Sequence, residues 1–182
     1  MKVIETSIPD LLVLEPKIWS DDRGYFFESY NEEKLRSLGI HYHWIQDNEA
    51  LSSKGVLRGL HFQKGEHSQA KLVRVIKGEV LDVVVDLRNE SKTFGKTFSL
   101  LLNGINKKQL LVPRGFAHGY IVLSEKAIFS YKVDNNYAPE HDSGIRYDDK
   151  QLDIDWLLPK EEIILSSKDT ELPFFDASKS YF

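Results

Sequence analysis

The chain has 182 residues, no cysteine and a formal net charge of −4 at pH 7. This length predicts one domain over residues 1–182, and the lack of cysteine excludes disulfides, thiolate-bound metals and a thiol nucleophile. The acidic balance disfavours a general nucleic-acid binder. The N-terminus lacks the apolar stretch of a signal peptide, and no apolar run approaches the roughly 18 residues of a transmembrane helix. We therefore expect a cytoplasmic protein that does not bind membranes.

A short helix is the first element that the sequence predicts. Asn31 can cap its N-terminus, Glu32 and Glu33 suit the positive end of the helix dipole, and Gly39 can end it. Short apolar runs follow, at 72–76, 79–87, 98–102, 109–112, 119–123 and 127–133. Strands at this spacing, with no long helical pattern between them, predict an all-β sandwich or barrel.

Turn residues separate several of these runs. Lys77 and Gly78 are typical of a hairpin turn between the first two runs, and Asn103 with Gly104 indicates a second turn. A further helical turn is expected at 159–162. The polar and aromatic tail after Leu165 is expected to wrap the surface or a partner subunit.

Strand parity gives the first indication of chemistry. In the run 79–87, Asp82 lies between Val80 and Val84 on one face, and both faces look buried. A carboxylate in such surroundings needs a partner, either in a structural ion pair or as a site residue lining the barrel. The same alternation places His118 and Tyr120 on one face of a later strand, and Phe129 and Tyr131 on one face of the strand that follows. Each of these residues, taken singly, is more often part of the core.

The segment RGLHFQ at 58–63 combines side chains suited to catalysis and to phosphate binding. His61 can transfer protons near neutral pH, and Arg58 can bind a phosphate through two hydrogen bonds. Strict alternation places the two on opposite faces of a strand. A β-bulge at Gly59 would bring them to one face, since glycine within a strand often marks a bulge. Otherwise only one of them lines the site.

A catalytic metal is not predicted. Metal sites in β-barrels need two or three converging histidines with a carboxylate. The chain has no His-x-His pair after His61, and its other histidines are scattered at His41, His43, His67, His118 and His141.

Nine segments in order along the chain share their motifs with one family. They are DDRGYFFESYN (21–31), QDNEALSSKGVL (46–57), RGLHFQ (58–63), QAKLVRVIKGEVLDVVVDLR (69–88), SKTFGK (91–96), VPRGFAHGY (112–120), YKVDNNYAPEHDSGIRYDD (131–149), IDWLLP (154–159) and LSSKD (165–169). Through them the chain resembles the dTDP-4-dehydrorhamnose 3,5-epimerase family. The resemblance implies a mainly β, cupin-type jelly-roll β-barrel with one or two short peripheral helices. It also implies that the protein works without a cofactor or a metal ion.

The resemblance further implies an isomerase that inverts C3 and C5 of dTDP-4-dehydro-6-deoxyglucose, a sugar nucleotide of rhamnose biosynthesis. His61 matches the family's base and Tyr131 the acid on the opposite face. Asp169 matches the carboxylate that pairs with the histidine, and Lys71 would stabilise the enolate oxygen. Whether Asp82 or Asp169 is the partner of His61 stays open.

The remaining implied site residues bind substrate. Asp82 and His118 resemble inner pocket residues, and Arg58 and Arg23 are candidates for the diphosphate. The residues that resemble contacts to the nucleotide or its base are Phe26, Glu28, Gln46, Asn48 and Tyr137. In the family some contacts near Phe26 and Glu28 come from a partner subunit, so we expect a homodimer with exchanged N-terminal strands.

The chain departs from the family pattern at loop positions. Residues 64–67 and Lys150 stand where prolines are usual, and Asp142 stands where a glutamate is more usual. These departures leave open which nucleotide base and which sugar are bound and whether one or both carbons invert. Together with two other functional classes, this gives three alternatives. The protein could invert only C3 or only C5 of a different nucleotide-linked 4-keto sugar, bind a sugar nucleotide without catalysis, or move the ketone as a related cupin isomerase.

Overall fold

The computed structural model describes all 182 residues, and the chain folds mainly into antiparallel strands. The strands are β1 (Lys2–Glu5), β2 (Leu12–Glu15), β3 (Trp19–Asp21), β4 (Gly24–Phe26), β5 (Gln46–Ser53), β6 (Leu57–Gln63), β7 (Lys71–Lys77), β8 (Glu79–Asp86), β9 (Thr97–Asn103), β10 (Gln109–Val112), β11 (Phe116–Val122), β12 (Lys126–Val133) and β13 (Asp142–Gly144). The two helices are α1 (Glu32–Ser37) and α2 (Ser167–Thr170). No helix is long and apolar enough to cross a membrane.

Two sheets and one separate hairpin make up the architecture. The six-stranded sheet has the order β1-β2-β10-β7-β12-β5, and the five-stranded sheet has the order β13-β6-β11-β8-β9. Strands β3 and β4 pair only with each other. Two packed antiparallel sheets with two short helices agree with the predicted mainly β, jelly-roll fold.

Apolar side chains fill the space between the sheets. Phe129 of the six-stranded sheet and Val84 of the five-stranded sheet belong to one buried cluster. A second cluster covers the outer face of the five-stranded sheet, where Val83 packs with Phe175 and Tyr181 from the end of the chain. Both faces of β8 are therefore buried, as parity predicts, and the tail packs on its own chain.

The predicted hairpin turn at Lys77 and Gly78 is wrong, because β7 and β8 lie in different sheets. Gly78 has φ +82°, and a Cβ atom there would lie 2.2 Å from the carbonyl oxygen of Lys126. The chain turns a sharp corner at this point and crosses between sheets. The predicted turn at Asn103 is confirmed, since its side-chain oxygen accepts the N–H of Asn106 at 2.7 Å.

The helix predictions agree with the structure at the residues that define them. Asn31 caps α1 by accepting the N–H of Lys34 at 3.0 Å, and the expected turn near 160 is a single 3-10 turn, Lys160–Glu162. The sequence did not predict α2. The Ser166 hydroxyl caps this helix by accepting the N–H of Asp169 at 3.2 Å.

Candidate active site

A cavity of about 410 Å³, here called the main cavity, is lined by both sheets and by the segment that leads into α2. Strands β5, β7 and β12 line it from one sheet, and β6 and β11 from the other. Its polar lining combines six residues that the sequence predicts with three that it does not. The predicted residues are Arg58, His61, Lys71, His118, Tyr131 and Asp169, and the others are Tyr120, Ser166 and Lys168.

A β-bulge brings Arg58 and His61 to the same cavity, as predicted. His61 pairs with His118 of β11 and Arg58 with Tyr120, so two residues of β6 lie opposite one residue of β11. Gly59 occupies the bulge with φ +138°, and a Cβ atom there would lie 2.5 Å from the Cα of Gly119. Glycine is needed at this position because any side chain would collide with neighbouring backbone.

Replacing Gly59 with alanine is expected to destabilise the fold by about 3 kcal/mol, because the new methyl group forces β6 away from β11. Chemical denaturation measures this change. Gly39→Ala is the matched control, since Gly39 has φ +82° and a Cβ atom there would have nothing within 4 Å. It should cost about 1 kcal/mol, from the backbone conformation alone. Equal losses in the two variants would contradict the role assigned to the close approach.

His61 is held by Asp169, which resolves the choice between the two carboxylates. The His61 Nε2 atom lies 2.5 Å from Asp169 Oδ1, and Asp169 is only 3% exposed. Burial alone would raise the pKa of Asp169, but the hydrogen bonds with His61 and Ser166 outweigh it and hold this pKa below its usual value. Asp169 is therefore an ionised partner that fixes the orientation of the imidazole ring.

A second histidine–carboxylate pair lies beside the first. His118 Nε2 lies 2.9 Å and 3.1 Å from the two carboxylate oxygens of Asp82, and both side chains are buried. Asp82 does not line the main cavity, whereas His118 does. The buried carboxylate thus has its partner in a structural pair, and it supports a residue of the cavity wall.

Lys71 begins β7 and carries a positive charge into the main cavity. Burial lowers the pKa of its ammonium group to about 8, and the negative charges of Asp142 and Asp82 oppose this decrease only in part. The structure gives Lys71 no ion-pair partner in the protein. At neutral pH it is a cation that is free to interact with an oxygen atom of a bound molecule.

Tyr131 reaches the main cavity from the sheet opposite to His61, since β12 and β6 belong to different sheets. Burial and the charge of Asp142 raise the pKa of its phenol, while the charge of Arg58 lowers it by a smaller amount. The net increase keeps the hydroxyl protonated at neutral pH. Tyr131 can therefore donate a proton or a hydrogen bond into the cavity.

A second, smaller cavity of about 300 Å³, here called the side cavity, adjoins the main cavity and shares His61, Lys71 and Tyr131 with it. Three predicted nucleotide contacts line this side cavity: Gln46, Asn48 and Tyr137. The Tyr137 hydroxyl donates to Asp142 at 2.9 Å, and Lys168 contacts the same carboxylate. No three histidine, aspartate or glutamate side chains converge in a way that would hold a metal ion.

Three predicted substrate contacts lie away from both cavities within one chain. Arg23 and Phe26 belong to the β3–β4 hairpin, where the Arg23 side chain is 90% exposed and Phe26 is 67% exposed. Glu28 contacts Lys34 and accepts a hydrogen bond from Asn31 at 3.1 Å. Within one chain these three residues therefore contribute to neither cavity.

The sequence offers weak signals for the residues that it does not predict. Lys168 directly precedes Asp169 in the LSSKD motif, and Asp142 is a departure from the family pattern. Tyr120 shares a strand face with His118, as parity indicates. Both residues of that face do line the main cavity.

Residues 5–177 match the sequence profile described as dTDP-4-dehydrorhamnose 3,5-epimerase. The chain belongs to this family. The family member of Salmonella typhimurium is 49% identical over 97% of this chain and 96% of its own. The crystal structure of the epimerase from Elizabethkingia anophelis is 51% identical, with a TM-score of 0.94 over 100% of this chain and 99% of that one. The Legionella pneumophila enzyme, solved in complex with dTDP-4-keto-L-rhamnose, is 46% identical, with a TM-score of 0.92 over 97% and 95% of the two chains.

Family membership confirms the resemblance seen in the motifs, and the likeness to these structures confirms the cupin-like fold. The match runs from the first strand of the six-stranded sheet to the tail that packs against the five-stranded sheet. Both cavities and both histidine–carboxylate pairs lie inside it.

Proposed function

We propose that this protein inverts C3 and C5 of dTDP-4-dehydro-6-deoxyglucose and so forms dTDP-4-dehydrorhamnose, the activity for which its family is named. One observation carries the proposal: His61 and Tyr131 enter the main cavity from opposite sheets. Inversion at carbon needs a base on one side of the sugar ring and an acid on the other. The dTDP-4-keto-L-rhamnose held by the Legionella relative supports a nucleotide-linked 4-keto sugar as the ligand.

Removal of a proton is the first step. C3 and C5 flank the C4 ketone, so a carbanion at either carbon delocalises into an enolate. If Nε2–H of His61 donates to Asp169, the lone pair of Nδ1 faces the substrate and takes the proton. The ionised carboxylate stabilises the imidazolium that forms.

The enolate oxygen carries the charge that develops during this step. Lys71 lines both cavities as a cation with no ion-pair partner of its own. A preorganised charge in a partly desolvated site often contributes more to catalysis than any other single effect. Lys71 therefore takes the role of stabilising the oxygen on C4.

Reprotonation on the opposite face completes the inversion. The Tyr131 hydroxyl gives its proton to the carbon, and the C–H bond forms as the enolate returns to the ketone. His61 has gained one proton and Tyr131 has lost one, so exchange with water restores both groups. The same cycle at the other carbon gives the doubly inverted product.

The rate is expected to fall as the pH rises through about 8, because Lys71 then loses its charge. An ordinary lysine, with a pKa of 10.5, would keep the rate constant to a much higher pH. The value of kcat/KM should decrease about tenfold per pH unit above this point. A pH–rate profile between pH 6 and 10.5 measures it.

Lys71→Arg is the control for this assignment, since a guanidinium stays charged throughout that range. The variant should have a lower rate but no decrease near pH 8. A decrease in kcat/KM that appears only above pH 10 in both proteins would instead point to Tyr131, whose pKa lies above its usual value. It would show that Lys71 does not determine the pH dependence.

Solvent deuterium exchange followed by NMR tests the activity itself. With dTDP-4-keto-6-deoxyglucose in D₂O, deuterium should enter at both C3 and C5, and coupled reduction should yield the doubly inverted sugar. Label at only one carbon would identify a single epimerase. Movement of the ketone would identify the isomerase alternative. Binding of dTDP without any exchange would leave a sugar-nucleotide-binding protein.

We further propose a homodimer in which the β3–β4 hairpin of each chain contributes to the site of the other. The hairpin exposes Trp19, Tyr25 and Phe26, and it pairs with no other strand of its own chain. Such an aromatic surface is typical of a protein interface. Light scattering should give twice the monomer mass, and a monomer at micromolar concentration would contradict the dimer.

The cytoplasmic location stays a prediction, and cell fractionation tests it.

A further inference from the structure

The side chain of Gln63 ends the RGLHFQ motif and takes no part in the mechanism proposed above. Gln63 is the last residue of β6, is 4% exposed and lines neither cavity. Its Nε2 group donates to the carbonyl oxygens of His67 at 2.7 Å and Asn136 at 3.0 Å, and its Oε1 atom accepts the N–H of Ala138 at 2.6 Å. Both N–H groups and the oxygen of this amide therefore bond to backbone.

Two of these three hydrogen bonds flank Tyr137. The carbonyl of Asn136 belongs to the peptide group before Tyr137, and the N–H of Ala138 belongs to the peptide group after it. Because peptide groups are planar, holding both of them restricts φ and ψ of the residue between them. Gln63 therefore sets the direction in which the Tyr137 side chain leaves the backbone.

The loop that carries Tyr137, residues 134–138, depends on side chains for its support. The backbone of residues 134–137 forms no hydrogen bond with other backbone groups. At Asn135 the carbonyl oxygen accepts from the side chain of Gln69 at 2.8 Å, and the side-chain amide donates to the carbonyl of Glu66 at 2.8 Å. Side-chain amides thus take the place of a strand or helix in fixing this loop.

The ring of Tyr137 has little support of its own. It is 58% exposed, so packing contributes little, and its hydroxyl bonds to Asp142 at 2.9 Å. Its position in the wall of the side cavity therefore depends on a fixed backbone, and the two bonds from Gln63 are the nearest to it along the chain.

We propose that Gln63 is a positioning residue for nucleotide binding, which holds the exposed ring of Tyr137 where it stacks on the base. This inference rests on the proposed function and on the predicted contact of Tyr137 with the nucleotide. A ring that is already in place loses less conformational freedom when the ligand binds, so the loop that Gln63 fixes binds more tightly than a mobile one. Because Gln63 lines neither cavity, it acts on binding and leaves the proton transfers unchanged.

Gln63→Leu tests this role, because leucine is of similar size and forms none of the three bonds. We expect the Kd for dTDP, measured by calorimetry, and the KM for dTDP-4-keto-6-deoxyglucose to rise about tenfold, with kcat within twofold of wild type. The Kd for inorganic pyrophosphate, a probe without a base, should stay unchanged. In a Tyr137→Ala background the substitution should have no further effect on either constant, because Gln63 acts through that ring.

Asn135→Ala is a second, milder variant, which loosens the same loop through a partly exposed residue. It should raise the Kd for dTDP about threefold, again only when Tyr137 is present. Gln151→Leu is the matched control, since this exposed glutamine donates to the carbonyl of Phe175 at 3.4 Å and lines neither cavity. It should change neither Kd nor KM.

An unchanged Kd for dTDP in folded Gln63→Leu would overturn the inference, and if that protein does not fold, an unchanged Kd in Asn135→Ala would do so. An equal rise in Kd without the Tyr137 ring, or an equal loss of pyrophosphate binding, would show a general structural role and overturn it as well. Absence of deuterium exchange in a wild-type protein that binds dTDP would overturn the epimerase proposal alone. A wild-type protein that does not bind dTDP would overturn both.

Discussion

Replacing His61 with alanine is expected to lower kcat by about 10²–10⁴-fold, the usual contribution of a positioned general base. Deuterium should no longer enter at C3 or C5. Binding of dTDP, measured by calorimetry, should change little, because the substitution leaves in place the side chains that we propose to bind the nucleotide and the diphosphate, among them Gln46, Asn48 and Arg58. Asp169 would keep its hydrogen bond from the Ser166 hydroxyl at 2.8 Å, so the loss of stability should stay near 1–2 kcal/mol.

His41→Ala is the control for this result. His41 is exposed, lies just after α1 and lines neither cavity, so the same substitution should leave both activity and stability unchanged. Persistent deuterium exchange in the folded His61→Ala protein would show that the base lies elsewhere. Loss of exchange together with loss of dTDP binding would indicate a collapsed site rather than a missing base.

Replacing Tyr131 with phenylalanine is expected to separate two events that the wild-type enzyme couples. Formation of the doubly inverted product should decrease about 10²–10³-fold, since the carbon loses its proton donor on one face. Exchange of the proton on the His61 side should decrease only a few-fold, because His61 can return a deuteron to the face from which it took the proton. NMR gives both rates in one experiment as incorporated label and inverted sugar.

Tyr147→Phe is the corresponding control, because Tyr147 is a buried tyrosine of the cluster outside the five-stranded sheet and lines neither cavity. Its ratio of exchange to inversion should equal that of wild type. A Tyr131→Phe enzyme with unchanged inversion would remove this hydroxyl from the mechanism. Parallel loss of exchange and inversion would assign Tyr131 to binding instead of proton donation.

The sequence predicts the strands better than it predicts their partners. The positions of the apolar residues along one strand indicate which of its two faces are buried, so the burial of both faces of β8 can be predicted from the sequence. The corner at Gly78 is not, because a lysine–glycine pair suits a hairpin and a crossing between sheets equally well. Only the placement of β7 and β8 in different sheets shows which of the two forms.

The same distinction applies to the site. Features that depend on one short segment can be predicted, and contacts between residues far apart in the sequence cannot. The bulge at Gly59 can be predicted because it depends on local sequence, namely a glycine within a strand. The partner of His61 is not predictable from spacing, since Asp169 lies 108 residues away in a helix of four residues. Arg23 and Phe26 lie outside both cavities of their own chain, which the motifs alone do not reveal.

The link between His61 and Asp169 also has a consequence for the protein while it is being made. The two residues are 108 positions apart, and translation adds about 5–20 residues per second, so roughly 5–20 s pass between their synthesis. Throughout that interval the nascent chain has its imidazole but lacks the carboxylate that orients it. Products of interrupted translation that end before Asp169 would therefore be poor epimerases even where their strands have paired.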